Sequence, residues 1–112
     1  MLQCSNISAI KLNLLEHNLE YGILVMSVNA TIWNNNFINN NYNNITEIHS
    51  QAKVDANYTS FIGLTKWYNE ETQEGNYWSE LEWIIGVEYS IDSGSYTDIY
   101  PLENPVVLKI FD

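Results

Sequence analysis

The chain contains no arginine and only four lysines, while fourteen aspartates and glutamates give a net charge of −10 over 112 residues. Proteins that bind nucleic acids neutralise phosphates with clustered lysine and arginine side chains, and anionic membrane surfaces attract the same clusters. The composition therefore argues against both kinds of partner. It favours a protein partner with a basic surface, because an acidic face accelerates encounter with cationic surfaces.

Cysteine is nearly absent as well, and the single Cys4 cannot form an internal disulfide. The apolar runs are a few residues long, far short of a transmembrane helix. The first ten residues, MLQCSNISAI, lack the basic segment and the apolar stretch of a signal peptide. We therefore expect a cytoplasmic protein, and the asparagine-rich, arginine-free composition is typical of AT-rich coding sequences in low-GC bacteria and their phages.

Patterns of catalytic and metal-binding residues are also scarce. His17 and His49 lie in no ligand-spaced motif, and the five glycines are too scattered for a phosphate-binding loop. The acidic segments NEETQEGN and DSGSYTD lack the spacing that directs several oxygens at one calcium ion. Glu80 and Glu82 share a strand face, but nothing nearby in sequence would separate their pKa values as an acid/base pair requires. We expect no enzymatic activity, no metal and no cofactor.

Alternation of apolar and polar residues is what the sequence does contain, over most of its length. A hydrophobic share of 46% with 16% charged residues is typical of a globular protein, and the length suits one domain, residues 1–112. Strands are expected at residues 10–14, 21–33, 47–58, 61–68, 77–92, 96–101 and 106–111. No internal repeat is apparent.

Connections between these strands are predicted from turn-forming residues. The asparagine-rich stretch 34–44 is expected to be a loop, because asparagine favours turns and its side chain competes for backbone hydrogen bonds. Residues 69–76 form a polar turn in which Gly75 is available for a positive φ. The prediction is an all-β fold, an antiparallel β-sandwich, open sheet or partial barrel of six to seven strands. Residues 1–20 also fit one short N-terminal helix, which would make the class α+β.

The most regular stretch, residues 77–92, predicts a strand with two unlike faces. Its odd positions, among them Trp83 and Tyr89, are apolar and expected in the core, while Trp78 and several carboxylates are expected outside. Aromatic anchors beside anions are typical of interfaces with basic proteins. The candidate partner-binding residues are Trp67, Glu70, Glu71, Glu74, Trp78, Glu80, Glu82, Ile84, Glu88 and Asp92. Alternatively, a further sheet or helix covers this face and the glutamates only provide solubility.

Three functions are compatible with these features. The first is a small acidic protein that inhibits or neutralises a more basic protein partner, as immunity proteins and phage anti-defence proteins do. The second is a carbohydrate-binding β-sandwich in which exposed Trp67 and Trp78 stack on sugar rings. The third is a chaperone-like or virion structural subunit that assembles as a homo-oligomer through sheet edges.

The third function has one further observation behind it. Residues 81–91, LEWIIGVEYSI, resemble a sheet strand of the SecB-type export chaperones at Glu82, Gly86, Tyr89, Ser90 and Ile91. The resemblance covers about a tenth of the chain, and the long C-terminal helices of that family have no counterpart here.

Overall fold

A computed structural model describes residues 2–4, 9–25, 30–41, 50–54, 65–79, 88–91 and 96–108. These residues form short strands and no α-helix, so the all-β class is confirmed. The strands are β1 (Leu2–Cys4), β2 (Ala9–Ile10), β3 (Leu14–Glu16), β4 (Ile23–Val25), β5 (Thr31–Ile32), β6 (Asn36–Ile38), β7 (Ala52–Val54), β8 (Tyr77–Trp78), β9 (Tyr89–Ile91) and β10 (Tyr96–Asp98).

The strands pair as three small parallel sheets, in the orders β1-β4-β7, β2-β5 and β3-β6-β8. Three consecutive strands therefore contribute one to each sheet, and the chain winds as a coil whose successive turns stack. We call β1, β2 and β3 coil 1, and β4, β5 and β6 coil 2. Coil 3 comprises β7, a parallel bridge from Lys66 to Thr31, and β8. The antiparallel sandwich is not supported.

Coils 1 and 2 repeat with a nearly constant offset. Leu2 pairs with Ile23, Ala9 with Thr31 and Leu14 with Asn36, which are offsets of 21, 22 and 22 residues. Equivalent residues of the two coils therefore lie one above the other, and the expectation that the chain has no internal repeat is wrong. The repeat escapes notice because only a few positions keep their residue type.

The core consists of columns of equivalent side chains. Phe37 stacks on Trp78 at a ring-centroid distance of 4.1 Å, and Trp78 stacks on Tyr89 at 3.9 Å. Leu15, the partner of Phe37 in β3, packs against the same core. A second column brings Ile10 over Ile32, both of them buried. Columns of this kind bury aromatic surface in the offset-stacked geometry that rings prefer.

Stacked asparagines bond successive coils at one corner, and we call Asn13, Asn35 and Asn76 the asparagine ladder. The backbone N–H and the side-chain amide of Asn13 both donate to Oδ1 of Asn35, at 3.1 and 3.0 Å. Asn35 donates in the same way to Oδ1 of Asn76, at 3.2 and 3.0 Å. The side-chain oxygen of each rung thus accepts the backbone N–H of the preceding coil, a group that needs a hydrogen-bond partner when it is buried.

A second ladder follows the next corner, with the same polarity. Asn18 donates to Oδ1 of Asn40, and Asn40 donates from both backbone and side chain to Oε1 of Gln51 at 2.9 Å. Ser79 closes this ladder by accepting from the Gln51 side chain at 3.1 Å. Both ladders lie where loops or outward polar residues were predicted.

Several predictions are corrected by these observations. Within residues 34–41, the predicted loop instead contains β6 and four buried asparagines. Burial removes the hydrogen bonds that these amide side chains would make to water, and bonds between stacked coils replace them. Residues 9–20 form β2 and β3 and no helix. Residues 106–108 of the predicted last strand form no strand, and residues 109–111 lie outside the described residues.

The C-terminal part of the chain closes the end of coil 3. Strands β9 and β10 form an antiparallel pair. Gly75 donates its N–H to the carbonyl of Tyr100, and Leu102 donates to the carbonyl of Asn76. Asp98 then takes the position of a fourth rung on the asparagine ladder, since its Oδ2 accepts from the backbone of Asn76 at 2.7 Å.

Candidate functional site

A groove of about 330 Å³ lies on the outer face of the sheet formed by β2, β5 and the Lys66 bridge. Ala9, Thr31 and Lys66 occupy equivalent positions in the three coils, so their side chains form the floor as a straight row. The groove is lined by Ala9, Thr31, Trp33, Lys66, Tyr68, Asn69, Glu70 and Glu71.

One wall of the groove is an extra loop in coil 3, residues 68–74, which we call the corner loop. Coil 2 takes two positions from Ile32 to Asn34, whereas coil 3 takes eight from Trp67 to Gly75 to cover the same corner. Asn69 stabilises the loop because its Oδ1 accepts from the backbone N–H groups of Glu71 and Thr72, at 2.9 and 3.3 Å. The turn predicted at residues 69–76 is therefore confirmed over 69–74.

The glycine of that turn has a different role from the expected one. The positive φ in the corner loop belongs to Gln73, at 57°. Gly75 is required instead for close packing, because a Cβ added there would overlap the carboxylate of Asp98. The backbone at Gly75, which directly follows the corner loop, therefore packs against Asp98 of β10.

Two half-buried aromatic side chains border the groove. Trp33 follows β5, and the ammonium group of Lys11 lies 5.3 Å from the centre of its ring. Tyr68 opens the corner loop and packs edge-to-face on Tyr100, with centroids 5.4 Å apart. The ammonium group of Lys11 is therefore within the range of a cation–π interaction with Trp33.

Carboxylates supply the charge of the groove. Glu70 is exposed and forms an ion pair at 3.1 Å with Lys66, four positions earlier in the chain. Glu71 is exposed beside it and has no ion pair within the described part of the chain. Glu74, half-buried, pairs through its backbone with Asn69. The groove therefore combines rings, amides and carboxylates on a floor held rigid by three coils.

Asp98 lies in β10, behind the corner loop. It is fully buried, and this burial raises its pKa from 3.8 to about 6. Hydrogen bonds from the Trp78 indole, the Asn76 and Tyr100 backbones and the Asn76 amide favour the charged form and offset part of that effect. The carboxylate is too enclosed to contact a ligand. Its hydrogen bonds with Asn76 and Trp78 join β10 to coil 3.

The predicted partner-binding tryptophans are not on the surface. Trp78 is 0% exposed and Trp67 is 1% exposed, so the prediction that Trp78 points outward is wrong. In β8 the interior position is Trp78, which stacks on Phe37. Tyr77 is also buried, on the opposite face, where its strand neighbour Asn36 bonds the backbone of Val106 at 2.7 and 2.8 Å. In β9 the alternation holds, with Tyr89 buried as predicted and Ser90 exposed.

The predicted carboxylates fall into three groups. Glu70 and Glu71 line the groove together, and Glu74 belongs to the same corner loop. Glu88 is exposed beside β9 and is not part of the groove. The other predicted site residues, Glu80, Glu82, Ile84 and Asp92, lie outside the described residues, as does the predicted core residue Trp83.

Most of the groove was missed from the sequence. Trp33 was assigned to the end of a long strand, and Ala9 and Thr31 carry no signal as isolated residues. Aligning AIKLNLLEHN (9–18) with TIWNNNFINN (31–40) would have placed Ala9 beside Thr31 and indicated a stacked face. The equivalence with Lys66 is hidden by the longer connection that precedes it.

The described residues contain no group of three or more His, Cys, Asp or Glu side chains arranged to hold a metal ion. Nor do they include a helix of the length and apolarity needed to cross a membrane. Comparison of the chain with family models, with curated proteins and with solved structures finds no match. The groove is accordingly interpreted from its own chemistry.

Proposed function

We propose that the chain is a protein-binding module whose groove takes a cationic segment of a more basic protein partner. The observation that carries the proposal is the juxtaposition of Trp33 and Tyr68 with the exposed carboxylates of Glu70 and Glu71 in one groove. Arginine is the side chain that this combination suits best, because a guanidinium stacks on an aromatic face and bonds a carboxylate with two parallel N–H groups.

Charge supports the same partner class. The chain carries a net charge of −10, which steers a cationic protein toward it at long range. The ion pair between Lys66 and Glu70 is exposed, with 44% and 62% of the side chains accessible, so an incoming arginine can exchange with Lys66 at little cost. Glu71 adds a second carboxylate.

Rigid presentation is the contribution of the coils. The groove floor comprises the same position of three stacked turns, and stacked repeats present extended surfaces of fixed shape. A partner held in this way would have its own basic site covered, which is how a small acidic protein inhibits or neutralises a larger one. In a cell, inhibition of this kind is the role of an immunity protein or an anti-defence protein.

The test is a binding titration with a short polyarginine peptide, followed by calorimetry at low and high salt. The double variant Glu70→Gln, Glu71→Gln should weaken binding about tenfold or more, since it removes both groove carboxylates. The matched control is Glu16→Gln, Glu103→Gln, which removes two exposed carboxylates outside the groove and should change the affinity about twofold at most. Equal losses in the two variants would show that only net charge matters and would remove the groove from the proposal.

A carbohydrate is the second candidate ligand, and the groove now favours it at Trp33 and Tyr68 in place of the buried tryptophans. Trp33 offers a ring for stacking, and Asn69 and Thr31 offer groups that bond hydroxyls. A panel of neutral oligosaccharides separates the two ligands, because sugar binding is nearly independent of salt whereas binding of a cationic peptide falls steeply with it. Trp33→Ala should abolish either interaction.

A further inference from the structure

The sheet that carries the groove presents two rows of outward side chains. In each coil a buried residue separates an outward residue of the first row from an outward residue of the second. The buried residues are Ile10, Ile32 and Trp67. The first row is the groove floor, Ala9, Thr31 and Lys66, and the second row is Lys11, Trp33 and Tyr68. Each row thus contains one lysine.

The lysine of the second row contacts the aromatic ring of the groove. The ammonium group of Lys11 lies 5.3 Å from the centre of the Trp33 ring, where the proposed function places a cationic side chain of the partner. Lys11 is exposed and Trp33 is half-buried, and a cation–π contact of this kind is weak in water. An arginine can replace the ammonium group, because its planar guanidinium also stacks on the ring.

The lysine of the first row contacts a carboxylate of the groove. Nζ of Lys66 lies 3.1 Å from Oε2 of Glu70, and both side chains are exposed. Exposed ion pairs contribute little to stability. An ammonium group meets the carboxylate as a point charge, whereas an arginine can donate two parallel N–H groups to it. The two cation-binding groups of the groove are therefore both engaged, weakly, by lysines of the chain itself.

A third lysine makes a similar contact away from the groove. Lys53 lies in β7, which belongs to another sheet, and its ammonium group lies 5.8 Å from the centre of the Tyr21 ring. Its removal changes the net charge as the removal of a groove lysine does. Lys53 therefore provides a matched control for the two lysines of the groove.

We propose that Lys11 and Lys66 are internal competitors of the partner. Each occupies one of two cation subsites, the Trp33 ring and the Glu70 carboxylate, and the partner binds by displacing both lysines with two cationic side chains. A segment with one cationic side chain leaves the second lysine in place and its charge nearby. The groove should consequently select segments with at least two cationic side chains. This inference rests on the proposed function, because it concerns the same groove and the same class of ligand.

Calorimetric titration with a short peptide that contains two arginines separated by one glycine tests the competition. Lys11→Gln and Lys66→Gln should each strengthen binding by about two- to fivefold, since each removes one weak competing contact. Lys53→Gln makes the same change in net charge outside the groove and should strengthen binding by about 1.5-fold at most at physiological salt, where distant charges are screened.

Arginine substitutions separate competition from net charge. Lys11→Arg and Lys66→Arg keep the charge but hold the ring and the carboxylate more strongly, so each should weaken binding of the peptide by about two- to threefold. If net charge alone mattered, neither variant would change the affinity. The double variant Lys11→Gln, Lys66→Gln should gain more affinity for the two-arginine peptide than for a peptide with a single arginine.

The outcomes distinguish this inference from the proposed function. Gains in Lys11→Gln and Lys66→Gln no larger than in Lys53→Gln would overturn the competition. The proposed function would stand in that case if the double variant Glu70→Gln, Glu71→Gln still weakened binding. A double variant of these glutamates that binds the peptide as its control does would overturn both.

Discussion

Asp98 shows how one residue can serve as the end of a repeated structure. Its carboxylate takes the place of the asparagine that a further coil would supply, accepting from the Asn76 backbone and from the Trp78 indole at 2.8 Å. A carboxylate accepts at both oxygens and donates from neither when ionised, so it ends a ladder that an amide would continue. The ladder therefore terminates through chemistry and not only through chain length.

The buried carboxylate predicts a specific pH dependence of stability. Its pKa is about 6 in the folded chain and 3.8 as an ordinary aspartate, so the folded state holds the proton more tightly. The stability contributed by this protonation is complete below about pH 3.8 and is lost as the pH rises through about 6. The whole titration from 3.8 to about 6 amounts to about 3 kcal/mol, at about 1.4 kcal/mol per pKa unit, and roughly 2.4 kcal/mol of it is lost between about pH 4 and 7.5.

Urea unfolding of wild type and Asp98→Asn over that pH range measures this contribution. The other acidic residues repel each other in both proteins, so the difference between the two slopes isolates Asp98. We expect the variant to show a flatter decline of unfolding free energy with rising pH. Parallel slopes would mean that Asp98 titrates in the folded chain as it does in the unfolded one.

At the scale of the element, the asparagine ladder bonds three successive coils through side chains. Asn35 is fully buried, and its side chain bonds both neighbouring rungs and the carbonyls of Ile10 and Trp33. Its removal leaves donors of one coil and acceptors of another unsatisfied, each at a cost of about 1–3 kcal/mol.

Asn35→Ala should accordingly lower the free energy of unfolding by about 3–4 kcal/mol. Asn13→Ala is the matched control. Asn13 is half-buried and bonds one other rung among the described residues, so this substitution should cost about 1 kcal/mol. Chemical denaturation of the two variants gives the comparison. Similar losses at both positions would contradict the idea that an interior rung bonds two coils and a terminal rung only one.

These elements also mark how far the sequence predicts the fold. Alternation correctly indicated strands such as β9 and β10, and turn-forming residues indicated the polar corner loop, because each depends on neighbours within a few residues. Parallel pairing joins residues 21 to 41 positions apart, and it leaves only scattered identities such as Asn13 with Asn35. The asparagines were assigned to a loop on their intrinsic preference, which stacking between coils overrides.

The candidate site was predictable to a similar degree. Glu70 and Glu71 were identified from their exposed, acidic turn, and they do line the groove. Trp78 was placed outside by an alternation that fails at β8, where the column of Phe37 and Tyr89 decides which face is interior. Trp67 was chosen because it lies next to the acidic turn in sequence, and it is buried as well. Trp33 becomes a site residue only through the lateral alignment of three coils.

For the whole molecule, net charge is the dominant global property. Fourteen acidic residues against four lysines repel one another in the compact state and less in the expanded one. The coils hold the chain together against this repulsion through stacked amides and rings. The ion pair between Lys66 and Glu70 joins residues four positions apart and does not bond one coil to another.

Screening should therefore stabilise the protein. Raising NaCl from about 20 to about 500 mM shortens the screening length severalfold and should raise the melting temperature by about 4–8 °C, equivalent to about 1 kcal/mol. Differential scanning calorimetry measures the shift. Glu103→Lys changes the net charge from −10 to −8 at an exposed position, so the melting temperature of this variant should respond less to salt. A melting temperature that falls with NaCl would show that attractive pairs outweigh repulsion.

The corner loop has a consequence for the modification of this protein. Coil 3 admits extra residues between Trp67 and Gly75 while the bonded positions on both sides, Lys66 and Asn76, stay in register with coil 2. A coiled chain of this type tolerates insertions at a corner without disturbing the pairing of the strands on either side. Foreign peptides grafted between Glu71 and Gln73 should thus be displayed at a fixed height beside the groove, making the molecule a carrier for designed recognition sequences.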